Sequence, residues 1–192
     1  MTLGNLKQKI NTPYFFNHQV ERAFPEESKH SINIQLSRML NRGNLVALKR
    51  GLYIFTDEEV SEFTISNLLY SPSYVSLESA LNIYGIIPDI VQNVTAVTPT
   101  TTKNFNTSKG TYLYSKITSN LFFGYTYQKI ANLYYKIAKP EKALLDYIYV
   151  RKISDLSSSR LNFDNIRHAN LQRFMPPFPG WVKSVIYEQY NK

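Results

Sequence analysis

The side chains best suited to chemistry in this sequence lie along one face of a helix predicted over residues 31–42. Apolar residues recur there at helical spacing and predict the buried face, namely Ile32, Leu36, Met39 and Leu40. The opposite face carries Asn33, Ile34, Ser37, Arg38, Asn41 and Arg42. Arginine and asparagine can bridge the hydrogen-bonding groups of base edges, and an aliphatic side chain can contact a thymine methyl group. The face therefore suits the major groove of DNA, although a solvated face with one isoleucine explains this helix alone equally well.

A basic turn follows this helix closely. Two β-prone segments, residues 45–48 and 52–55, flank Lys49, Arg50 and Gly51, and this pattern predicts a hairpin. We expect Lys49 and Arg50 to hold phosphates, so that binding falls steeply with salt as counterions are released. The predicted DNA-binding set is completed by two residues at the start of the helix, Lys29 and Ser31.

The elements that must position these residues are predicted within the first sixty positions. We expect a helix near residues 3–10, a second helix capped by Asn17 and ended by Pro25, and a third with Ser31 as N-cap and Gly43 as its end. Three helices and a basic-tipped hairpin predict a winged helix-turn-helix domain over residues 1–60. Such modules also recognise proteins, so two interpretations stay open: direct contact with DNA and binding of a protein partner.

Charge divides the chain just after that module. Residues 1–56 hold eight Lys and Arg against three Asp and Glu, residues 57–98 hold six acids and no base, and residues 99–192 hold fourteen bases against five acids. The acidic segment predicts a domain boundary near residues 56–70, between two surfaces that face polyanions. The net charge of +8 favours an anionic partner.

The larger part of the chain, residues 61–192, predicts an α+β domain with a mostly antiparallel sheet and C-terminal helices. We expect a helix with Ser76 as its cap and Gly85 as its end. Strands are predicted near residues 94–97, 110–117, 122–127 and 133–137. Pro140 should begin a further helix, in which Lys142 and Asp146 form an i,i+4 pair.

No catalytic constellation is recognisable. The absence of cysteine excludes disulfides, a thiolate nucleophile and cysteine-based zinc sites. The three histidines lack zinc-site spacing, and the chain has neither an Asp-x-Asp pair for Mg²⁺ nor a glycine-rich phosphate loop. Glu78 and Glu141 each lie in a first helical turn, where the helix dipole accounts for a carboxylate. We therefore expect a protein that is not an enzyme and that needs no metal and no cofactor.

The sequence also bears on location. It contains no uninterrupted apolar run of membrane-spanning length, and the lysines near the start are not followed by the apolar segment of a signal peptide. Together with the absence of cysteine, this favours a cytoplasmic protein without a membrane partner.

Several segments, in their order and spacing, resemble the AbiEi antitoxin family. They are RGLY (50–53), YVSLESAL (74–81), GIIP (85–88), VTAVT (94–98), GTY (110–112) and AKPEKALLD (138–146). The resemblance extends over roughly residues 15–150, and the helices containing SLESAL and PEKALLD carry most of it.

This resemblance implies a DNA-binding autorepressor and antitoxin of a type IV toxin–antitoxin operon. In that family the N-terminal winged helix represses the operon, and the larger domain counteracts a nucleotidyltransferase-like toxin without forming a stable complex. The family's basic antitoxin surface corresponds here to Lys103, Lys109, Lys116 and Lys129. Two other interpretations stay open: a winged-helix transcription factor whose second domain responds to a ligand, and an RNA-binding protein whose many tyrosines stack on bases.

Overall fold

Three helices and three strands form the first of two units. The computed structural model describes residues 1–88, 91–156 and 160–190, which divide into a unit around Met1–Ser61 and another around Glu62–Asn106 and Gly110–Lys192. The first unit contains α1 (Leu3–Ile10), β1 (Tyr14–Phe16), α2 (Asn17–Ala23), α3 (Lys29–Asn41), β2 (Leu45–Lys49) and β3 (Leu52–Phe55). Its strands lie in the order β1-β3-β2, and both pairs are antiparallel.

One hydrophobic core joins the helices of the first unit to its sheet. Phe15 of β1 is fully buried and packs against the rings of Tyr53 and Phe55, with centroids 5.4 and 5.1 Å away. The core also contains Leu6, Val20, Phe24, Ile32, Leu36, Met39 and Leu45. The predicted apolar face of α3 is thereby confirmed, with Leu40 partly buried beside it.

The ends of the helices differ in part from the predictions. α3 follows Ser28, whose hydroxyl oxygen accepts a hydrogen bond from the Ser31 N–H at 3.1 Å, so Ser28 and not Ser31 is the N-cap. Asn17 is the first residue of α2 rather than its cap, because the Gln19 side chain accepts the N–H of the preceding residue at 2.7 Å. Gly43 ends α3 as predicted, with a φ of 73° that L-residues rarely adopt.

The predicted hairpin is confirmed, and a third strand joins it. β2 and β3 pair through a turn at Arg50 and Gly51, and the φ of 76° at Gly51 favours glycine there. Sequence analysis did not predict β1, which is only three residues long and pairs with β3.

The second unit is built on a six-stranded sheet. Its elements are α4 (Glu62–Leu69), β4 (Tyr74–Val75), α5 (Leu77–Ile83), β5 (Val94–Thr98), β6 (Lys103–Thr107), β7 (Gly110–Lys116), a 3-10 turn (Ser119–Leu121), β8 (Tyr125–Ile130), β9 (Leu133–Ala138), α6 (Pro140–Arg151), α7 (His168–Phe174) and α8 (Gly180–Tyr190). The strand order is β6-β7-β5-β4-β9-β8. β4–β5 and β8–β9 are antiparallel, whereas β5–β7 and β4–β9 are parallel. The chain is α+β with mostly antiparallel strand pairs over its two sheets, as predicted.

Several elements of this unit differ from the predictions. α4 occupies much of the predicted boundary at residues 56–70, because Thr64, Ile65 and Leu69 are buried in the unit. β4 and β6 were not predicted, and β8 begins at Tyr125 rather than at residue 122. Pro140 is the first residue of α6, as predicted.

None of the helices in the described ranges has the length and apolar character needed to cross a membrane.

Candidate nucleic-acid interface

The solvent-facing side of α3 presents the residues predicted to read bases. Ile34 is 39% exposed, although it is a large aliphatic residue with no partner in the core. The polar and cationic residues of the same side are also exposed, namely Asn33, Ser37, Arg38, Asn41 and, just beyond the helix, Arg42. This side of α3 therefore offers one apolar contact surrounded by hydrogen-bonding groups.

Four acids of the first unit are paired with cations. The pairs are Lys29 with Glu21 at 3.1 Å, Lys9 with Glu26 at 3.7 Å, the Met1 amine with Glu27 at 2.6 Å, and Lys7 with Asp57. Arg38, Arg42 and Arg50, by contrast, have no ion-pair partner in the described part of the chain. Uncompensated positive charge thus remains on the second half of α3, at the hairpin turn and at Arg22 near the end of α2.

Lys29 and Ser31, at the start of α3, are held by neighbours within the protein. The Lys29 ammonium is paired with Glu21. The Ser31 hydroxyl donates to the Glu27 carboxylate at 3.3 Å and accepts from Gln35 at 2.8 Å. The Met1 amine also donates to Glu27, and this hydrogen bond lowers the pKa of the carboxyl. Lys29 and Ser31 are consequently less available to a ligand than Arg38.

Asn17 connects the basic turn to the middle of α3. Its backbone N–H donates to the Gly51 carbonyl at 3.0 Å, and its side-chain amide donates to the Asn33 side-chain oxygen at 3.2 Å. Asn17 therefore holds the turn that carries Arg50 next to Asn33, on the exposed side of α3. Lys49 is half-buried at the end of β2, so Arg50 is the more exposed cation of the turn.

The four lysines of the expected antitoxin surface do not form one cluster. Lys103 begins β6 and Lys116 ends the neighbouring strand β7, while Lys109 lies in the turn between these strands. Lys129 lies in β8, at the opposite edge of the sheet. Three strands separate β7 from β8, which corresponds to about 19 Å at the usual strand spacing.

A stretch without acids, which sequence analysis missed, underlies this charge distribution. From residue 90 to residue 140 the chain has no Asp or Glu, and its cations are all lysines: Lys103, Lys109, Lys116, Lys129, Lys136 and Lys139. β5 to β9 all fall within this stretch, so every charged side chain that these strands carry is positive. The acid-free stretch spans the boundary between the blocks 57–98 and 99–192, whose charge totals therefore do not reveal it.

The antiparallel pair β8–β9, hereafter the tyrosine–lysine ribbon, alternates rings and cations. Tyr127 lies opposite Lys136, and Lys129 lies opposite Tyr134. The two tyrosines are 61% and 63% exposed, and each has one of these lysine ammonium groups within 5.8 Å of its ring centroid. Exposed aromatic faces beside cations can stack bases and neutralise phosphates.

A buried polar cluster joins the two helices that carry the family resemblance. Asp146 of α6 pairs with Lys142 one turn earlier and accepts hydrogen bonds from the Tyr74 hydroxyl at 3.0 Å and the Ser76 hydroxyl at 2.9 Å. The Lys142 ammonium also donates to the Tyr74 hydroxyl at 2.9 Å. Burial raises the pKa of Asp146, lowers that of Lys142, and raises that of Tyr74 well above its ordinary range.

This cluster is a structural feature rather than a binding site, because none of its four side chains is accessible. The predicted i,i+4 pair of Lys142 and Asp146 is present, but the pair is fully buried. Ser76 lies at the N-cap position of α5, yet its hydroxyl is used for Asp146 and makes no capping bond.

The two acids expected to act only through helix dipoles also have specific partners. Glu78 accepts two hydrogen bonds from the Arg151 guanidinium, at 2.6 and 2.9 Å. Glu141 is buried and accepts the Arg167 N–H at 3.0 Å and the Asn170 side-chain amide at 3.2 Å. Within the described residues, no group of three or more His, Asp and Glu is placed to hold a metal ion.

Comparison of the chain with protein-family models and with the sequences of curated proteins found no match.

Proposed function

We propose that residues 1–61 form a winged helix-turn-helix module that binds operator DNA, with α3 in the major groove and the β2–β3 hairpin as its wing. The element order α1-β1-α2-α3-β2-β3 and the sheet order β1-β3-β2 are those of winged-helix modules, which supports this proposal. The carrying observation is that, within the described residues, Arg38, Arg42 and Arg50 have no ion-pair partner, whereas Lys7 and Lys9 of α1 pair with carboxylates.

Salt-dependent binding tests the wing. We would measure the affinity for the DNA upstream of the protein's own gene at several salt concentrations, using full-length protein. Arg50→Ala should reduce the slope of log K against log salt by about one, because one phosphate contact is lost. Lys9→Ala is the matched control, since it removes one positive charge from α1, where Lys9 pairs with Glu26. Equal slopes for both variants would contradict the proposal.

We also propose that the protein is an autorepressor and antitoxin of a type IV toxin–antitoxin operon. The basis is the resemblance of residues 15–150 to the AbiEi family, together with the buried contacts of Tyr74 and Ser76 with Lys142 and Asp146, which join the two segments that carry it. The toxin would be a nucleotidyltransferase-like protein that is counteracted without a stable complex.

Co-expression with the neighbouring gene tests the antitoxin assignment. The full-length protein should restore growth of cells that express the neighbour, and the triple variant Arg38→Ala, Arg42→Ala and Arg50→Ala should restore it equally while losing repression of the operon promoter. This result would separate the two activities within one intact chain. A neighbour that is not toxic, or toxicity that this protein does not relieve, would refute the assignment.

Single-stranded RNA binding is a second candidate function, favoured by the tyrosine–lysine ribbon. Stacking of a base on an aromatic side chain contributes about 1–3 kcal/mol. Tyr127→Ala with Tyr134→Ala should therefore weaken RNA binding strongly if the ribbon is the binding surface. Retention of RNA by this double variant at the affinity of the wild type would exclude the ribbon.

A further inference from the structure

The second unit contains an open cavity of about 810 Å³ that neither the DNA-binding proposal, the antitoxin proposal nor the tyrosine–lysine ribbon uses. It lies between the end of β7, the C-terminal end of α6 and the start of α8. The lining residues that matter here are Lys116, Tyr149, Arg151, Lys152, Pro179 and Trp181. Small-molecule sites commonly measure roughly 300–1,000 Å³, so the space suits a ligand of nucleotide size.

Two stacked aromatic rings form one wall of the cavity. The Tyr149 and Trp181 rings are 17° from parallel, with centroids 6.2 Å apart. Tyr149 also packs edge-on against Phe178, which is buried, so the ring pair rests on the core of the unit. Trp181 nevertheless remains 42% exposed. A large indole held in place at a cavity wall offers a preformed surface on which a planar ring can stack.

The charge of the lining is positive and only partly compensated. Arg151 is neutralised by Glu78 through two hydrogen bonds. Lys116 and Lys152 have no ion-pair partner in the described part of the chain, and no acidic side chain is among the lining residues. Two available ammonium groups near a stacking surface match a ligand that carries both a planar ring and a phosphate group.

We infer that this cavity binds a nucleotide, with the base stacked on Trp181 beside Tyr149 and the phosphates held by Lys116 and Lys152. An acidic peptide would use the cations but not the flat aromatic wall, and an apolar ligand would leave both lysines unused. The nucleotide can be a free one or the end of an RNA strand, since both present the same base and phosphate.

The inference does not depend on the proposed function. The site lies wholly in the second unit, and variants of Arg38 or Arg50 should leave nucleotide binding unchanged.

Fluorescence provides a direct test, because Trp181 is the single tryptophan of the chain. Full-length protein would be titrated separately with ATP, UTP, a five-nucleotide single-stranded RNA and inorganic triphosphate, with free N-acetyltryptophanamide correcting for absorbance. We expect saturable quenching by at least one base-containing ligand and no comparable quenching by triphosphate. The relative affinities of the free nucleotides and the RNA then identify the source of the ligand.

Charge variants test the lysines. The double variant Lys116→Ala and Lys152→Ala should weaken binding roughly tenfold or more, since hydrogen bonds to charged groups contribute more than neutral ones. Lys183→Ala is the matched control, because its ammonium donates to the Pro176 carbonyl and does not line this cavity. Its affinity should equal that of the wild type.

Calorimetry with ring variants tests the stacking without relying on fluorescence. Trp181→Leu should bind the preferred nucleotide about fivefold or more weakly, whereas Trp181→Phe should retain most of the affinity. The inference is overturned if no base-containing ligand quenches saturably. It is equally overturned if triphosphate competes as well as the nucleotide and Trp181→Leu binds as tightly as the wild type.

Discussion

Asn17 and Asn33, on two different helices, are joined by a side-chain hydrogen bond of 3.2 Å. Asn17 also donates its backbone N–H to Gly51, so one residue fixes the hairpin turn relative to α3. DNA recognition by this module would require the turn to reach phosphates while α3 contacts bases. The Asn17–Asn33 hydrogen bond therefore helps to fix the distance between the hairpin turn and α3.

Replacing Arg38 should change sequence preference more than general affinity. An arginine that contacts a base edge contributes about 1–3 kcal/mol of discrimination between bases. Arg38→Ala should therefore lower the ratio of the affinity for operator DNA to the affinity for unrelated DNA by roughly fivefold or more. Arg50→Ala should weaken the binding of operator and of unrelated DNA to the same extent, because a phosphate contact does not distinguish sequences. Competition binding with the two DNAs gives the ratio, and an unchanged ratio for Arg38→Ala would argue against α3 as the reading helix.

Replacing Asn17 should weaken binding without changing its salt dependence. Asn17→Ala removes the hydrogen bond to Asn33 and loosens the turn, but it removes no cation. We expect lower affinity at every salt concentration and the wild-type slope of log K against log salt. A slope reduced as much as that of Arg50→Ala would show that Asn17 acts through phosphate contacts instead.

Breaking the buried ion pair should destabilise the second unit strongly. Asp146→Asn leaves the Lys142 ammonium buried without its counterion, at a cost of about 3–5 kcal/mol of unfolding free energy. Lys142→Met combined with Asp146→Leu should cost less than Asp146→Asn alone, since no charge is left buried. Glu78→Gln, which breaks the more exposed pair with Arg151, is the control and should cost about 1 kcal/mol or less. Urea unfolding measures all three, and equal losses for the two aspartate variants would contradict this account.

The stability of Asp146→Asn should also depend on pH. Burial already lowers the pKa of Lys142 below its ordinary value of 10.5, and loss of Asp146 removes the interactions that raise it. A lysine with a lower pKa in the folded state contributes stability at high pH and loses it as pH falls through that folded value. We therefore expect the stability of Asp146→Asn, relative to the wild type, to rise as pH is raised over the alkaline range toward the ordinary lysine pKa of 10.5. A constant difference over this range would show that Lys142 stays charged.

Gly124 should not tolerate a side chain. A Cβ at this position would lie 2.9 Å from Cγ of Lys142, and the φ of 71° is unfavourable for other residues. We expect Gly124→Ala to lower the unfolding free energy by about 1–3 kcal/mol. Gly4→Ala is the control, because nothing lies within 4 Å of its Cβ and alanine favours helix α1, which should gain about 0.5–1 kcal/mol. A neutral Gly124→Ala would indicate that Lys142 can move aside.

Periodicity predicted the elements that depend on local pattern. The buried and exposed sides of α3 follow from the spacing of its apolar residues, and the hairpin follows from two β-prone segments around Gly51. The N-cap was placed three residues too late because Ser28 and Ser31 are both suitable caps, and only the folded geometry distinguishes them. β1 and β4 are too short for any periodicity to appear.

Tertiary packing decided what the sequence left unpredicted. A Lys and an Asp four residues apart on a helix are usually exposed, and nothing local indicates that Lys142 and Asp146 are enclosed by aromatic residues. The cavity beside Trp181 likewise combines residues from four separate segments of the chain. The pairing of acids in the first unit, which leaves Arg38 without an ion-pair partner among the residues that the structure describes, also required the folded structure.

The acid-free sheet also has a consequence for how copies of this protein meet in solution. β6 and β8 are the two edge strands, and edge strands can pair with strands of other molecules. Each edge carries lysine, Lys103 on one side and Lys129 on the other, and no carboxylate on these strands can attract the lysines of a second copy. Repulsion between the lysines of two copies therefore opposes edge-to-edge association of their sheets. Acetylating these lysines would remove that protection and should make the protein prone to aggregate.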